Sequence, residues 1–290
     1  MSAIEHLVEQ KQTARKCAVA VIAEGRYLSQ VQPSGMIRSL QAMGHSVRII
    51  EPDDQALESG DNSWASGIDL AIARGRSWGV LCLLEWLERR GVPSINSRAA
   101  ISTVHNKAEM TVALASAGIA TPRTWLGSLA RVAERIPPRD YPVIVKPIFG
   151  DNCRGLEIVH DAEQLCRLPW PDSIAIVQKF FPGMDSDLKL YCIGREVWAV
   201  RKPSPLAMKL AQSGAERPAE LVPVTSDLRS LALRCGDIFH LELYGVDCIE
   251  TEQGVLVIEV NEFPNYSAVP DADEKLSNFV LTFAKQERTI

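Results

Sequence analysis

The 290-residue sequence has no C-x-x-C pair, and its seven cysteines stand singly at 17, 82, 153, 166, 192, 235 and 248. An odd number of scattered thiols makes no disulfide framework and fits a reducing compartment. Five histidines are equally dispersed, without the spacing of a zinc site. No stretch has the apolar length needed to span a bilayer. The opening MSAIEHLVEQKQTARK carries two glutamates and no apolar core of signal-peptide length. The expected location is the cytoplasm, with no membrane partner. A basic excess is also missing: the formal net charge is −5, which argues against a broad grip on nucleic acid. Internal repeats and low-complexity tracts are absent.

What remains is an ordinary globular balance, 46% hydrophobic and 23% charged. The length suits two or three compact units. In the first third, CAVAVIA (17–23) reads as a buried parallel strand. A helix over 33–45 follows, with Met36, Ile37, Leu40 and Met43 at helical spacing. Strands HSVRIIE and IDLAIARG and the helix GVLCLLEWLERRG complete an open α/β unit over 1–105. AEGRYLSQ stands after the first strand in place of G-x-G-x-x-G, so no dinucleotide site is expected there.

A second unit, 106–182, opens with the helix NKAEMTVALASAG. It continues through YPVIVKP, the loop IFGDNCRG and LEIVH as a hairpin, then IAIVQKFF. The third unit, 183–290, pairs DLKLYCIG with REVWAVRKP across a Gly-Arg turn. A polar segment at 203–224 reads as a mobile loop. A helix over 227–241 with Asp227 as its cap comes next, then the hairpin YGVDCIE–VLVIEVN and a closing helix, EKLSNFVLTFAK. The fold class is α/β, with α+β character in the C-terminal part.

Chemistry concentrates in three places. Glu259 and Asn261 are two apart at a strand end, so both face one side, and Asp247 in the partner strand can bring a third oxygen. Three hard oxygens, two of them anionic, suit magnesium carrying phosphate oxygens. Taken singly, Glu259 is a solvated strand end; the trio in one hairpin favours metal. Lys146 ends an apolar strand just before a loop in which Gly150 and Gly155 let backbone N–H groups approach phosphate. Lys107, which opens its helix, is a second phosphate candidate. Gln178, Lys179, Phe180 and Phe181 form a connector able to meet an adenine edge and sandwich its ring.

The order of a helix with Lys107, V-x-K-P, a glycine loop, Q-x-F-F, D-L-K-x-Y-x-I-G, G-V-D and E-V-N resembles the ATP-grasp superfamily across essentially the whole chain. In pattern it is most similar to the RimK-like branch of glutamate and amino-acid ligases. The resemblance implies an ATP-grasp fold behind an N-terminal open α/β domain. It implies ATP and two Mg²⁺ ions, with Mn²⁺ as a substitute, and Asp247, Glu259 and Asn261 as the metal ligands. Lys107 and Lys146 would bind phosphates, residues 178–181 would contact adenine, and Asp187 would lie at the cofactor. Lys189 stands where the branch carries arginine, keeping the charge and losing the planar fork.

Two features depart from the branch. Its Arg-Asn pair has no counterpart in 203–224, which contains no asparagine. R-K-P-S (201–204) and N-E-F-P-N-Y (261–266) resemble the ATP-grasp inositol polyphosphate kinases, whose His-containing stretch is missing from DNCRG.

Three readings follow. One is a carboxylate–amine ligase acting through an acyl phosphate on small-molecule or peptide substrates, with Arg201, Lys202 and Lys189 as the catalytic cations. Another is a kinase for an inositol phosphate or similar alcohol, its anion met by Arg38, Arg74 and Arg76. The third is a non-catalytic nucleotide-binding module, which an intact metal trio disfavours. SWGVLCLLEW (77–86) and Tyr266 are candidates for the acceptor pocket. Enzymes similar to this chain are often dimers or tetramers, so a homo-oligomer is expected.

Overall fold

The computed structural model describes residues 16–150, 154–183, 185–204, 206 and 218–287. Most of the 203–224 segment and the centre of the DNCRG loop lie outside the described residues.

Three sheets organise the described residues. The first is wholly parallel, in the order β2-β1-β3-β4. Its strands are β1 (Ala18–Ala23), β2 (Ser46–Ile50), β3 (Leu70–Arg74) and β4 (Ser94–Ile95). Helix α1 (Val31–Ala42) and helix α2 (Trp78–Glu88) flank it. Alternation along β1 explains why the run is apolar throughout. Val19, Val21 and Ala23 enter one core with Met36 and Leu40, while Ala20 and Ile22 enter another with Val80, Leu84 and Leu87. Helical backbone in α1 is interrupted at Gln32, so the regular part begins where the sequence suggests, at Pro33.

The sequence reading missed β4 and the helix after it, α3 (Arg98–His105). Both are short, and β4 has two residues. Asn96, just beyond β4 and 2% exposed, ties the first sheet to the third. Its Oδ1 accepts from the N–H groups of Glu242 (2.7 Å) and Leu243 (3.0 Å), and its Nδ2 donates to the Leu243 carbonyl at 2.7 Å. Asn96→Ala orphans buried backbone groups and is expected to cost about 2–4 kcal/mol. Urea unfolding should show a lower midpoint at unchanged slope; a wild-type midpoint would show that these bonds carry no net stability.

Helix α4 (Lys107–Ser116) leads into the second sheet, β5-β8-β6-β7. It comprises β5 (Thr124–Gly127), β6 (Val143–Lys146), β7 (Glu157–Val159) and β8 (Ala175–Lys179), all antiparallel. The β6–β7 hairpin is the one the sequence implies. Two short helices, α5 (Leu129–Ala133) and α6 (Ala162–Arg167), cover its apolar face.

The third sheet runs β11-β10-β9-β12-β13. Its strands are β9 (Ser186–Ile193), β10 (Glu196–Pro203), β11 (Glu220–Val222), β12 (Leu243–Thr251) and β13 (Gly254–Glu262). Strand β11 belongs to the segment expected to be a loop; it pairs with β10 at Ala199, Val200 and Arg201. Helix α7 (Ser226–Phe239) is capped by Thr225, whose side chain accepts from the Leu228 N–H, rather than by Asp227. Asp227 sits inside the first turn, where its charge suits the helix dipole. Helix α8 (Ala272–Glu287) closes the described chain and packs on α1.

The third sheet has two different faces. Leu188, Leu190 and Cys192, with Val197, Ala199, Val246 and Cys248, bury against α3, α4 and α7. The opposite face is divided. Tyr191, Ile193, Val200 and Leu243 pack against the first unit, and the remainder opens into a cavity. Tyr266 is fully buried in that packed region, where its hydroxyl donates to the Cys192 carbonyl at 2.6 Å. It is core, not pocket. Trp86 packs edge-on against Trp64 at 5.2 Å, and Trp78 is 84% exposed, so neither tryptophan reaches the cavity.

Candidate active site

The cavity, of about 850 Å³, is bounded by all three sheets. Every candidate residue named above for nucleotide, metal or catalysis lines it except Gly155 and Arg201. The exception at Arg201 has a plain geometric cause. Side chains alternate along a strand, so Arg201 shares the face of Val197 and Ala199, and Lys202 shares the other. Arg201 instead grips Glu250 of β12, with Nε–Oε2 at 2.9 Å and Nη2–Oε1 at 3.0 Å. Lys202 lies across from Asp187 on the cavity face. Of the first-unit arginines, Arg74 and Arg76 line the cavity; Arg38 is exposed and does not.

The hairpin trio comes together as its spacing implies. Asp247 is the register partner of Glu259, and Asn261 lies two residues further along β13. The register slips beside Asp247, passing over Ile258, so Ile258 and Glu259 both line the cavity; a bulge of this kind re-aims side chains. Asn261 Nδ2 donates to Asp247 Oδ2 at 2.6 Å. Each carboxylate also holds a lysine. Lys189 Nζ lies 2.9 Å from Asp247 Oδ1, and Lys107 Nζ lies 2.6 Å from Glu259 Oε1. Gly245 makes room for the first pair, since a Cβ there would come 3.0 Å from Lys189 Cε. Burial alone would raise the Asp247 carboxyl, but Lys189, Lys202 and Asn261 outweigh it and hold it below its usual range. Burial pushes the Asp187 carboxyl up, against a hydrogen bond from Ser204.

Across the cavity, Lys146 Nζ donates to Gln178 Oε1 at 2.7 Å, and Gln178 Nε2 donates to Thr124 at 3.0 Å. Gln178 is 4% exposed, so it orients Lys146 more than it offers itself to a ligand. The N–H groups of Lys179 and Phe180 are already bonded to the carbonyls of Arg123 (2.8 Å) and Pro142 (3.0 Å). Ile144, Leu156, Ile249 and Ile258 supply apolar lining that the sequence reading did not single out. Their signal is weak because an aliphatic residue in or beside a strand reads as core.

His105 closes α3 with its ring edge-on to Phe149 at 5.0 Å. Burial, then Arg76 and Lys107, lower its pKa to about 4, with Glu24 opposing. The folded protein therefore binds fewer protons than the unfolded chain between about pH 4 and pH 6.5. Stability is unaffected above that window and falls as pH drops through it. Melting curves should lose part of this acid dependence in His105→Gln; identical pH profiles for both proteins would contradict the assignment.

A parallel sheet feeding a two-sheet unit, with a cation-lined cavity between, defines an ATP-grasp protein. The RimK-like ATP-grasp domain matches residues 104–272, and the chain belongs to that family. The α-aminoadipate–LysW ligase LysX of Sulfurisphaera tokodaii is 26% identical over 250 residues, covering 81% of this chain and 87% of its own. A probable α-L-glutamate ligase of Shewanella amazonensis is 22% identical over 289 residues, covering 89% and 91%. Among solved structures, a RimK-domain ATP-grasp protein from Sphaerobacter thermophilus superposes with a TM-score of 0.72 at 21% identity. It covers 91% of this chain and 100% of its own. No helix among the described residues is long and apolar enough to cross a membrane.

Proposed function

We propose that this chain is an ATP-dependent carboxylate–amine ligase. The observation that carries the reading is one cavity lined by Lys107, Lys146 and Lys189 together with a hard-oxygen trio, in a chain whose relatives are named as ligases. The substrate carboxylate takes the γ-phosphoryl group of ATP, giving an acyl phosphate and ADP. An amine then attacks the acyl carbon, loses a proton, and phosphate leaves as the amide forms. Such chemistry needs positioning and positive charge rather than a covalent nucleophile.

Two carboxylates and one carboxamide on one sheet face are the donor set magnesium takes. Asp247, Glu259 and Asn261 would hold it, and the ion would neutralise phosphate charge. The ammonium groups of Lys107 and Lys189 balance the two carboxylates. Lys146, Lys107 and Lys189 would then serve the phosphates, and Lys202 the developing acyl phosphate. The apolar isoleucines would hold the adenine ring. With the Lys179 and Phe180 N–H groups engaged, its edge would meet the connector at Phe181 or through carbonyl groups. The described cysteines are all free thiols, which supports a cytoplasmic setting.

The kinase reading falls behind for a local reason: the arginines it would use on a polyphosphate share their wall with the buried acid Glu262. The deciding experiment is ADP release on addition of amino acids, short peptides or inositol phosphates, with product masses. An amide product supports the ligase; phosphate in a stable ester overturns it.

A further inference from the structure

The turn that ends β13 enters the cavity, where Glu262, Pro264 and Asn265 line it. Two bulky residues of that turn have left-handed backbone, Phe263 at φ +35° and Tyr266 at φ +29°. Residues with such side chains avoid this region, and where they occupy it the surroundings must hold them there. Part of the hold comes from the third sheet. The Phe263 N–H donates to the Leu243 carbonyl at 2.8 Å, and both rings are buried. Pro264 and the Lys189 stem close together over Gly245, where a Cβ would meet Pro264 Cγ at 3.2 Å and Lys189 Cε at 3.0 Å. Asn265 follows directly, at the end of the cavity where Lys189 meets Asp247.

The rest of the hold comes from the first unit, through Gln32, which is fully buried and does not line the cavity. Its N–H belongs to the first turn of α1, where backbone donors have no helical partner, and donates to Asn265 Oδ1 at 3.2 Å. Its side chain is engaged at both ends. Oε1 accepts from the Met36 N–H at 3.0 Å, and Nε2 donates to Asp273 Oδ1 in the first turn of α8. Gly35 permits this approach, since a Cβ there would overlap the Asp273 carboxylate. One residue thus ties the start of α1 both to the turn and to the helix after it. With Oδ1 taken by Gln32, the Asn265 amide is fixed with Nδ2 as its open end, and Nδ2 donates to no described residue.

We propose that Gln32 is a positioning residue: it sets the Asn265 amide so that Nδ2 donates to an oxygen of the carboxylate substrate. The proposal rests on the ligase reading and deepens it with a residue that touches neither nucleotide nor substrate.

The bond between Gln32 and Asp273 has a polarity that can be reversed. Gln32→Glu loses the donor and sets two carboxylates face to face. Adding Asp273→Asn restores a donor–acceptor pair running the other way, and restoration of this kind is what a coupled pair shows. Asp273→Asn alone keeps an acceptor for Gln32 Nε2 and is the control. Hydrogen exchange reads the turn without any substrate. The N–H groups of Phe263 and Val269, the latter bonded to the Tyr266 carbonyl at 2.9 Å, should exchange about tenfold faster or more in Gln32→Glu. They should return to the wild-type rate in the double variant. The kinetic probe is the most active of the twenty L-amino acids and short peptides in ADP release with ATP and Mg²⁺. Its kcat/KM should fall by about 10- to 10²-fold in Gln32→Glu and recover in the double variant, while ADP affinity by calorimetry stays within about twofold. Asn265→Asp, which still accepts from the Gln32 N–H, should lose at least as much kcat/KM with exchange unchanged. Wild-type exchange in Gln32→Glu, no recovery in the double variant, or an equal loss of ADP affinity overturns the positioning role. Should Gln32→Glu fail to fold, wild-type exchange and kinetics in the double variant support the pairing, and their absence overturns it. A phosphate ester as product overturns the ligase reading and leaves the exchange result standing.

Discussion

Glu259→Gln is expected to lower turnover by on the order of 10²–10³-fold, as loss of a group stabilising transition-state charge typically does, with little change in melting temperature. Glutamine keeps the volume and can still accept from Lys107 Nζ, so the 2.6 Å contact survives as a neutral hydrogen bond. What disappears is the negative charge opposite Asp247. Because the Glu259 side chain is 28% exposed, solvent screens the pair and the stability effect stays small. Alanine would be a poorer choice, since it removes the hydrogen-bond acceptor of the buried Lys107 ammonium along with the charge. Single-turnover ADP formation measures the effect directly. Turnover near the wild-type rate would remove Glu259 from the metal set, and with it the reason for reading the hairpin as a cation site.

The second large effect separates two neighbours. Lys202→Met should cost about 10²-fold in kcat at saturating ATP, whereas Arg201→Met should change it by less than about threefold, as surface substitutions usually do. Both residues are cationic and adjacent, so any account based on local charge alone gives them equal weight. The pleat does not: Lys202 faces Asp187 in the cavity, and Arg201 closes on Glu250 behind the sheet. Equal losses in the two variants would mean that the strand registers differently when substrates are bound.

The contrast shows where reading residues succeeds. Glu259 and Asn261 could be placed on one face from spacing alone, because period two is a property of a single strand. The same rule applied to Arg201 and Lys202 would have separated them; taking them as a pair ignored it. Asp227 was chosen as a cap by residue type, but Thr225 holds the position because its backbone is the extended residue that precedes the helix. Short elements such as β4, β5 and β11 were missed since two to four residues carry no periodicity to detect.

The sequence by itself determined the longer strands and helices, the family pattern and the shared face of Glu259 and Asn261. Each is encoded in contiguous residues whose backbone period fixes which way they point. Only the tertiary structure decided that Lys107 meets Glu259 across 152 positions, that Asn96 locks two sheets together, and that Arg74 and Glu262 share a wall. Those relations depend on how separate sheets pack against one another. Packing is set by the summed fit of many buried side chains, so no local stretch contains it.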